Sequence, residues 1–254
     1  MPLLVLLRHG QSTWNAENRF TGWHDVPLTP LGESEARRAG QLMDQANLGV
    51  DVIHTSLQQR AITTANLALD ELGLLWIPQY RHWRLNERHY GDLQGRNKAE
   101  TAARYGADQV HLWRRSYDLR PPVIGPDDPR HPAADRRYAN LAPDLLPGGE
   151  CLADVVARML PYWHDVIAGD LLGGRRVLVA AHGNSLRALV KHLRRIPDDE
   201  IATLEIPTGV PLVFELDDRL VTFRSGYLGT PAEAEPPSPP EAEPDDPGDV
   251  LASG

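Results

Sequence analysis

A chain of 254 residues with 41% apolar and 24% charged side chains can bury one sizeable core, and it is neither collagen-like, wholly disordered nor a disulfide scaffold. The net charge of −9 is uneven: residues 231–254 hold seven acidic residues, seven prolines and no Lys or Arg, which leaves the body near neutral and without a basic stripe for nucleic acid. One cysteine, Cys151, suits a reducing compartment, and the apolar run Leu3–Leu7 is too short for a membrane span or a signal-peptide core, so a soluble cytoplasmic protein is expected.

In chain order, Leu3–Leu7 reads as a strand buried on both faces. Thr29-Pro30 offers a cap and a proline at the first helical position for a helix reaching about Asn47. Asp51–Thr55 reads as a second strand, and the helix after it places Ala61, Ala65, Ala68, Leu69 and Leu72 on one face. Between residues 97 and 150 the periodicity degrades, with short helices predicted around Lys98–Tyr105 and Asp108–Arg115. Leu152, Val155, Val156, Met159, Trp163, Val166 and Ile167 form an apolar stripe, and Pro161 predicts a kink in that helix. Arg176–Ala181 is a buried strand, Leu186, Leu189, Val190 and Leu193 mark a helix, and Val210–Leu216 with Leu220–Arg224 form a closing hairpin. The alternation predicts an α/β three-layer sandwich with a mostly parallel central sheet flanked by helices. The expected domain spans 1–230, with a lid-like insert at about 97–147. Residues 231–254 read as a disordered acidic, proline-rich tail.

Two strands end in the same way. Leu3–Leu7 runs into Arg8-His9-Gly10, and Val177–Ala181 runs into His182-Gly183-Asn184. Ligands of open α/β sheets sit beyond the carboxyl ends of the strands, so two histidines delivered there can converge on one site. A neutral imidazole is a competent nucleophile, and phosphoryl transfer asks mainly for positioning and positive charge. Arg8 adjoins His9, Arg60 opens the helix after the second strand, and Arg114-Arg115 follow Trp113. Glu87, after the aromatic residues Trp76, Tyr80 and Trp83, is the candidate to carry the hydroxyl proton; partial burial there would raise its pKa. Ten histidines include no His-x-x-x-His pair and there is no cysteine cluster, so no metal is expected. The segment Gly91–Lys98 fails the P-loop pattern.

Leu7-Arg8-His9-Gly10-Gln11-Ser12 resembles the signature of the histidine phosphatase superfamily. The segments Trp14–Trp23, Leu85–Gly91, Gln94–Thr101, Trp113–Arg115, Ala181–Ala188 and Ile206–Leu212 are similar to its cofactor-dependent phosphoglycerate mutases, and the likeness extends over nearly all of residues 1–230. It implies that His9 becomes phosphorylated, that Glu87 is the proton carrier, and that Arg8, Arg60 and His182 surround the transferring group. Asn15, Gly183 and Asn184 would line the same pocket, while Thr21, Gly22, Arg88, Tyr90, Lys98, Arg114 and Arg115 would hold the rest of the substrate.

The implied reaction interconverts 2- and 3-phosphoglycerate in glycolysis and gluconeogenesis. It is primed by 2,3-bisphosphoglycerate, uses no metal, and belongs to proteins that are usually homodimers or homotetramers. The partners implied are the small phosphoglycerate substrate, with neither nucleic acid nor membrane. The alternative is a phosphatase of small phosphomonoesters that uses the same histidines and arginines but admits water. The second group of cations favours the mutase. Two features depart from the family pattern: the tail is acidic where lysine-bearing tails are common, and Cys151 follows Glu150 where serine is common.

Overall fold

The structure is a computed structural model that describes residues 1–229; the tail expected to be disordered lies outside the described residues. Its strands are β1 (Leu3–Arg8), β2 (Val52–Thr55), β3 (Gln79–Arg81), β4 (Val177–Ala181), β5 (Leu212–Leu216) and β6 (Thr222–Tyr227). They form one sheet in the order β3-β2-β4-β1-β5-β6. The first four in that order run parallel, and β5 and β6 add an antiparallel hairpin at one edge. The helices are α1 (Thr13–Ala16), α2 (Pro30–Gln45), α3 (Gln59–Glu71), α4 (Lys98–Tyr105), α5 (Ala107–Arg115), α6 (Leu152–Tyr162), α7 (Ala168–Leu172) and α8 (Gly183–Arg194).

Strand periodicity builds the three layers. Leu4 and Leu6 of β1 face α6 and α8, where they join Val155, Met159, Trp163 and Leu189. Val5 and Leu7 point the other way, into Met43 of α2 and Ala65, Ala68 and Leu69 of α3. All four β1 residues are fully buried, and each such leucine contributes about 2 kcal/mol of transfer free energy. Thr29 caps α2 by accepting the Gly32 N–H through its Oγ1, with Pro30 at the first position, as its sequence suggests. The irregularity expected at Pro161 takes the form of a π-helical segment, Trp163–Ile167, between α6 and α7. Pro161 has no N–H to give the preceding turn, and the helical pattern widens within two residues of it.

Edge strand β3 escapes the sequence reading because it has three residues and is largely exposed, so it carries no apolar run. The insert divides in two. Helices α4 and α5 stand at the mouth of a cavity. None of residues 118–147 lines that cavity; among them Tyr138 is buried against Trp23 with ring centroids 4.7 Å apart.

Candidate active site

The register of two parallel strands creates the site. Arg8 of β1 lies opposite Ala181 of β4, and the His9 N–H donates to the Ala181 carbonyl at 3.0 Å. His9 and His182, the next residue on each strand, therefore leave the sheet side by side, and their rings meet edge-on with centroids 5.0 Å apart. Strand β2 lies beside β4, so Ser56, just past its end, reaches His182 Nε2 with its Oγ at 2.7 Å. The glycine after His9 has a packing role. A Cβ on Gly10 would lie 2.0 Å from the Gly32 carbonyl, so the first turn of α2 can seat directly on this loop only if the position is glycine.

His9 is 3% exposed. Burial holds its imidazole well below the ordinary pKa, and the charges of Arg60 and Arg8 push the same way, so the ring is neutral. Its Nδ1 lies 2.7 Å from the Gly10 carbonyl, which can only accept, so Nδ1 carries the proton and Nε2 keeps its lone pair. Arg60 Nε approaches that lone pair at 3.4 Å, while its two terminal nitrogens donate to the carbonyls of His24 and Gly22 at 3.0 and 2.9 Å. Burial lowers the Arg60 pKa to about 10, which leaves it protonated. Arg8 donates from Nη1 to the Ile206 carbonyl at 2.7 Å, and its buried Nε has no partner among the described residues. His182 is likewise held well below its ordinary pKa, first by burial and then by Arg60. Its Nδ1 is buried and unpartnered.

Glu87 sits on the loop between Leu85 and Gly91 and is 8% exposed. Its Oε1 accepts from the Arg88 N–H at 2.7 Å, the Asn184 N–H at 3.2 Å and the Asn184 Nδ2 at 2.9 Å. Oε2 has only a long contact, 3.5 Å, to the Asn184 N–H. The Glu87 N–H in turn donates to Gln58 Oε1.

These groups line a cavity of about 200 Å³. Its wall carries seven cationic side chains, Arg8, Arg19, Arg60, Lys98, Arg114, Arg115 and Arg187, against two carboxylates, Glu87 and Glu205. Local clustering thus makes a strongly positive hollow in a nearly neutral body. Burial lowers the Lys98 pKa, with Arg114 and Arg8 acting in the same direction. The Tyr90 phenol is pushed up by burial, but Arg88 and Lys98 outweigh that and hold it below its ordinary value.

Of the residues singled out by sequence, Arg8, His9, Asn15, Thr21, Arg60, Glu87, Tyr90, Lys98, Arg114, Arg115, Gly183 and Asn184 share this wall. Three do not. His182 stands behind His9, and Gly22, at φ +58°, gives its carbonyl to Arg60 and to Gln58. Arg88 packs behind two wall residues, Tyr90 and Arg114. Its guanidinium lies over the Tyr90 ring and donates to the Trp113 and Arg114 carbonyls at 2.8 and 3.2 Å, closing the C-terminal end of α5. Sequence reasoning misses Arg19, Phe20, Arg187, Glu205 and Ile206 on the wall and Ser56 and Gln58 behind it. Arg187 falls within the segment Ala181–Ala188 that carries the likeness, and it donates to Asn184 Oδ1 and the Ile201 carbonyl. Cys151 occupies the cap of α6, its Sγ 3.1 Å from Asp154 Oδ2, and burial pushes its thiol up. Among the described residues no group of three or more His, Cys, Asp or Glu side chains is arranged to hold a metal ion.

Residues 4–127 and 125–225 match the profile of the histidine phosphatase superfamily, branch 1. A 2,3-bisphosphoglycerate-dependent phosphoglycerate mutase of Nitratidesulfovibrio vulgaris is 61% identical over 235 residues, which cover 92% of this chain and 94% of that one. The enzyme of the same description from Thermobifida fusca is 60% identical over 237 residues, covering 92% and 96%. A phosphoglycerate mutase of Candida albicans is 56% identical over 234 residues, covering 92% and 94%. Among solved structures, a mycobacterial glucosyl-3-phosphoglycerate phosphatase shares the fold, with a TM-score of 0.67 at 24% identity, over 89% of this chain and 97% of that one. Bacillus stearothermophilus YhfR gives a TM-score of 0.62 at 27% identity, over 85% and 91%. This chain belongs to the histidine phosphatase superfamily, branch 1.

Proposed function

We infer that this chain is an isomerase that interconverts 2- and 3-phosphoglycerate through a phosphohistidine, the glycolytic and gluconeogenic reaction named for relatives about 60% identical to it over 92% of its length. One observation carries the chemistry. A neutral His9, its proton tied to the Gly10 carbonyl, presents Nε2 to a cavity with seven cations on its wall. The wall suits a primer with two phosphoryl groups, because cations outnumber carboxylates and Arg8 Nε has no partner among the described residues. When bound, 2,3-bisphosphoglycerate supplies the phosphoryl group that first loads His9.

His9 Nε2 gives up its phosphoryl group to the free hydroxyl of the bound monophosphate: the P–N bond breaks as the P–O bond forms. Glu87 Oε2, the less engaged oxygen, takes the hydroxyl proton. In the reverse step Nε2 takes the other phosphoryl group and Glu87 returns the proton to the leaving oxygen, so the proton count closes. In the proposed arrangement Ser56 Oγ accepts the Gln58 N–H at 3.1 Å and turns its own proton toward His182 Nε2, 2.7 Å away. That leaves the His182 proton on Nδ1, where it can stabilise an equatorial phosphoryl oxygen beside Arg8 and Arg60. Asn15, Thr21, Lys98, Arg114 and Arg115 hold the remaining phosphate and the carboxylate, and Asn184 orients Glu87. A phosphatase would use the His9 end of the cavity and have no need of the cations at the mouth.

The test is incubation with 3-phosphoglycerate, a trace of 2,3-bisphosphoglycerate and a chelator. Formation of 2-phosphoglycerate without matching release of inorganic phosphate is expected. Release of phosphate without 2-phosphoglycerate overturns the reading in favour of the phosphatase.

A further inference from the structure

Glu87 lies on a stretch, Asn86–Tyr90, that belongs to no helix or strand, yet it is buried. A buried loop must find partners for its backbone polar groups elsewhere, or it will not hold one conformation. Here the side chains of one ion pair supply three of them, and the Glu150 N–H a fourth. Arg158 of α6, its side chain 8% exposed, donates from Nη1 to the Arg84 carbonyl at 2.6 Å. Its Nη2 donates to the Asn86 and Glu87 carbonyls at 2.9 and 3.0 Å. Its Nε reaches Glu150 Oε1 at 2.6 Å, and Nη2 also approaches Glu150 Oε2 at 3.2 Å. Glu150, whose side chain is 4% exposed, closes the loop from its far side: Oε2 accepts the His89 N–H at 2.7 Å, and its own N–H donates to the His89 carbonyl at 2.9 Å.

Neither side chain is on the cavity wall. Together they grip the loop at Arg84, Asn86, Glu87 and His89, on both sides of the carboxylate that lines the cavity with His9. The cost of burying two charges makes this an expensive way to stabilise a helix against a loop, since apolar residues of similar size would pack as well. What a planar five-donor fork achieves, and apolar side chains cannot, is to take three carbonyls and a carboxylate at once in a fixed geometry.

We propose that Arg158 and Glu150 are positioning residues that set the place of the Glu87 carboxylate in the proton transfer. The inference rests on the phosphoglycerate reaction inferred above. Substrate binding, which belongs to the cationic wall, is independent of the pair, whereas the proton step is sensitive to displacements of a fraction of an ångström.

The experiment compares wild type, Arg158→Lys, Glu150→Gln and the double variant for kcat, KM, kcat against pH, and thermal melting. Arg158→Lys is expected to lower kcat about 10- to 100-fold with KM for 3-phosphoglycerate changed less than about three-fold. Glu150→Gln keeps shape and one acceptor and is expected to fall between that variant and wild type. The double variant should be no slower than Arg158→Lys, because both act through one loop. The kcat–pH profile of either variant should move relative to wild type, a change that loss of stability alone does not produce. Folded variants with wild-type kcat and pH profile overturn the proposal, as does a rise in KM that accounts for the whole loss. If neither single variant melts cooperatively, the pair is structural and the proposal fails. If wild type itself forms no 2-phosphoglycerate, the inferred reaction fails first and takes this inference with it.

Discussion

The two sides of the cavity are built in opposite ways. On the floor, His9 and His182 extend from adjacent parallel strands whose register aligns them, and both are buried and kept neutral by their surroundings. At the mouth, Lys98, Arg114 and Arg115 ride on two short helices of the insert, α4 and α5, and are only partly buried. Arg88 ties the end of α5 to the Tyr90 loop, and Arg115 pairs with Glu205. Rigid strand ends suit groups that must meet the reacting phosphorus at one distance.

That contrast can be broken by substitution. The largest effect belongs to the floor: His9→Ala should cut steady-state turnover by at least about four orders of magnitude while leaving the melting profile intact, and appreciable mutase activity would require another nucleophile. Glu87→Gln comes next. A fall in kcat of about 10²- to 10⁴-fold is expected, with slow loading of His9 by the primer still detectable by mass spectrometry; wild-type kcat would remove Glu87 from the proton path.

At the mouth, Arg114→Ala should raise KM about ten-fold and change kcat little, as expected for loss of a charged contact made in ground and transition states alike. A loss confined to kcat would place the mouth within the chemistry and erase the distinction between the two sides.

The smallest effect is on stability against pH. Burial lowers the pKa of His9 and His182 far below 6.5 and takes His82 and His89 to about 4. The unfolded chain therefore binds these protons before the folded one does. The stability they contribute is full above pH 6.5 and is lost as the pH falls from there toward 4 and below. Thermal melts should show Tm dropping through that window, and a flat Tm between pH 7 and 4.5 would mean that the rings are not buried neutral.

Most of this architecture could be read before any coordinates, for a physical reason. Leu3–Leu7 and Val177–Ala181 are buried on both faces, so they are continuous apolar runs, and the residues that follow them stand out by contrast. What escaped depends on tertiary neighbours. Ser56 and Gln58 look like ordinary loop residues until the strand order sets β2 beside β4 and brings them to His182 and Glu87. Arg88 shows a limit of another kind: its sequence context suggests a substrate contact, and in the fold its Nη1 and Nη2 donate to backbone carbonyls of α5 while its Nε has no partner among the described residues. Spacing along a chain signals which residues reach a sheet edge, but not which way a long flexible side chain turns once there.

The claim at the centre is that one imidazole nitrogen takes up the phosphoryl group. Brief incubation of the full chain with 2,3-bisphosphoglycerate, an alkaline quench that preserves phosphoramidates, and peptide mapping by mass spectrometry would test it. One phosphoryl group per chain on His9, absent from His9→Ala, is the predicted result. A loaded chain carrying the group on another residue, or efficient turnover with no loaded histidine at any time point, would contradict the account.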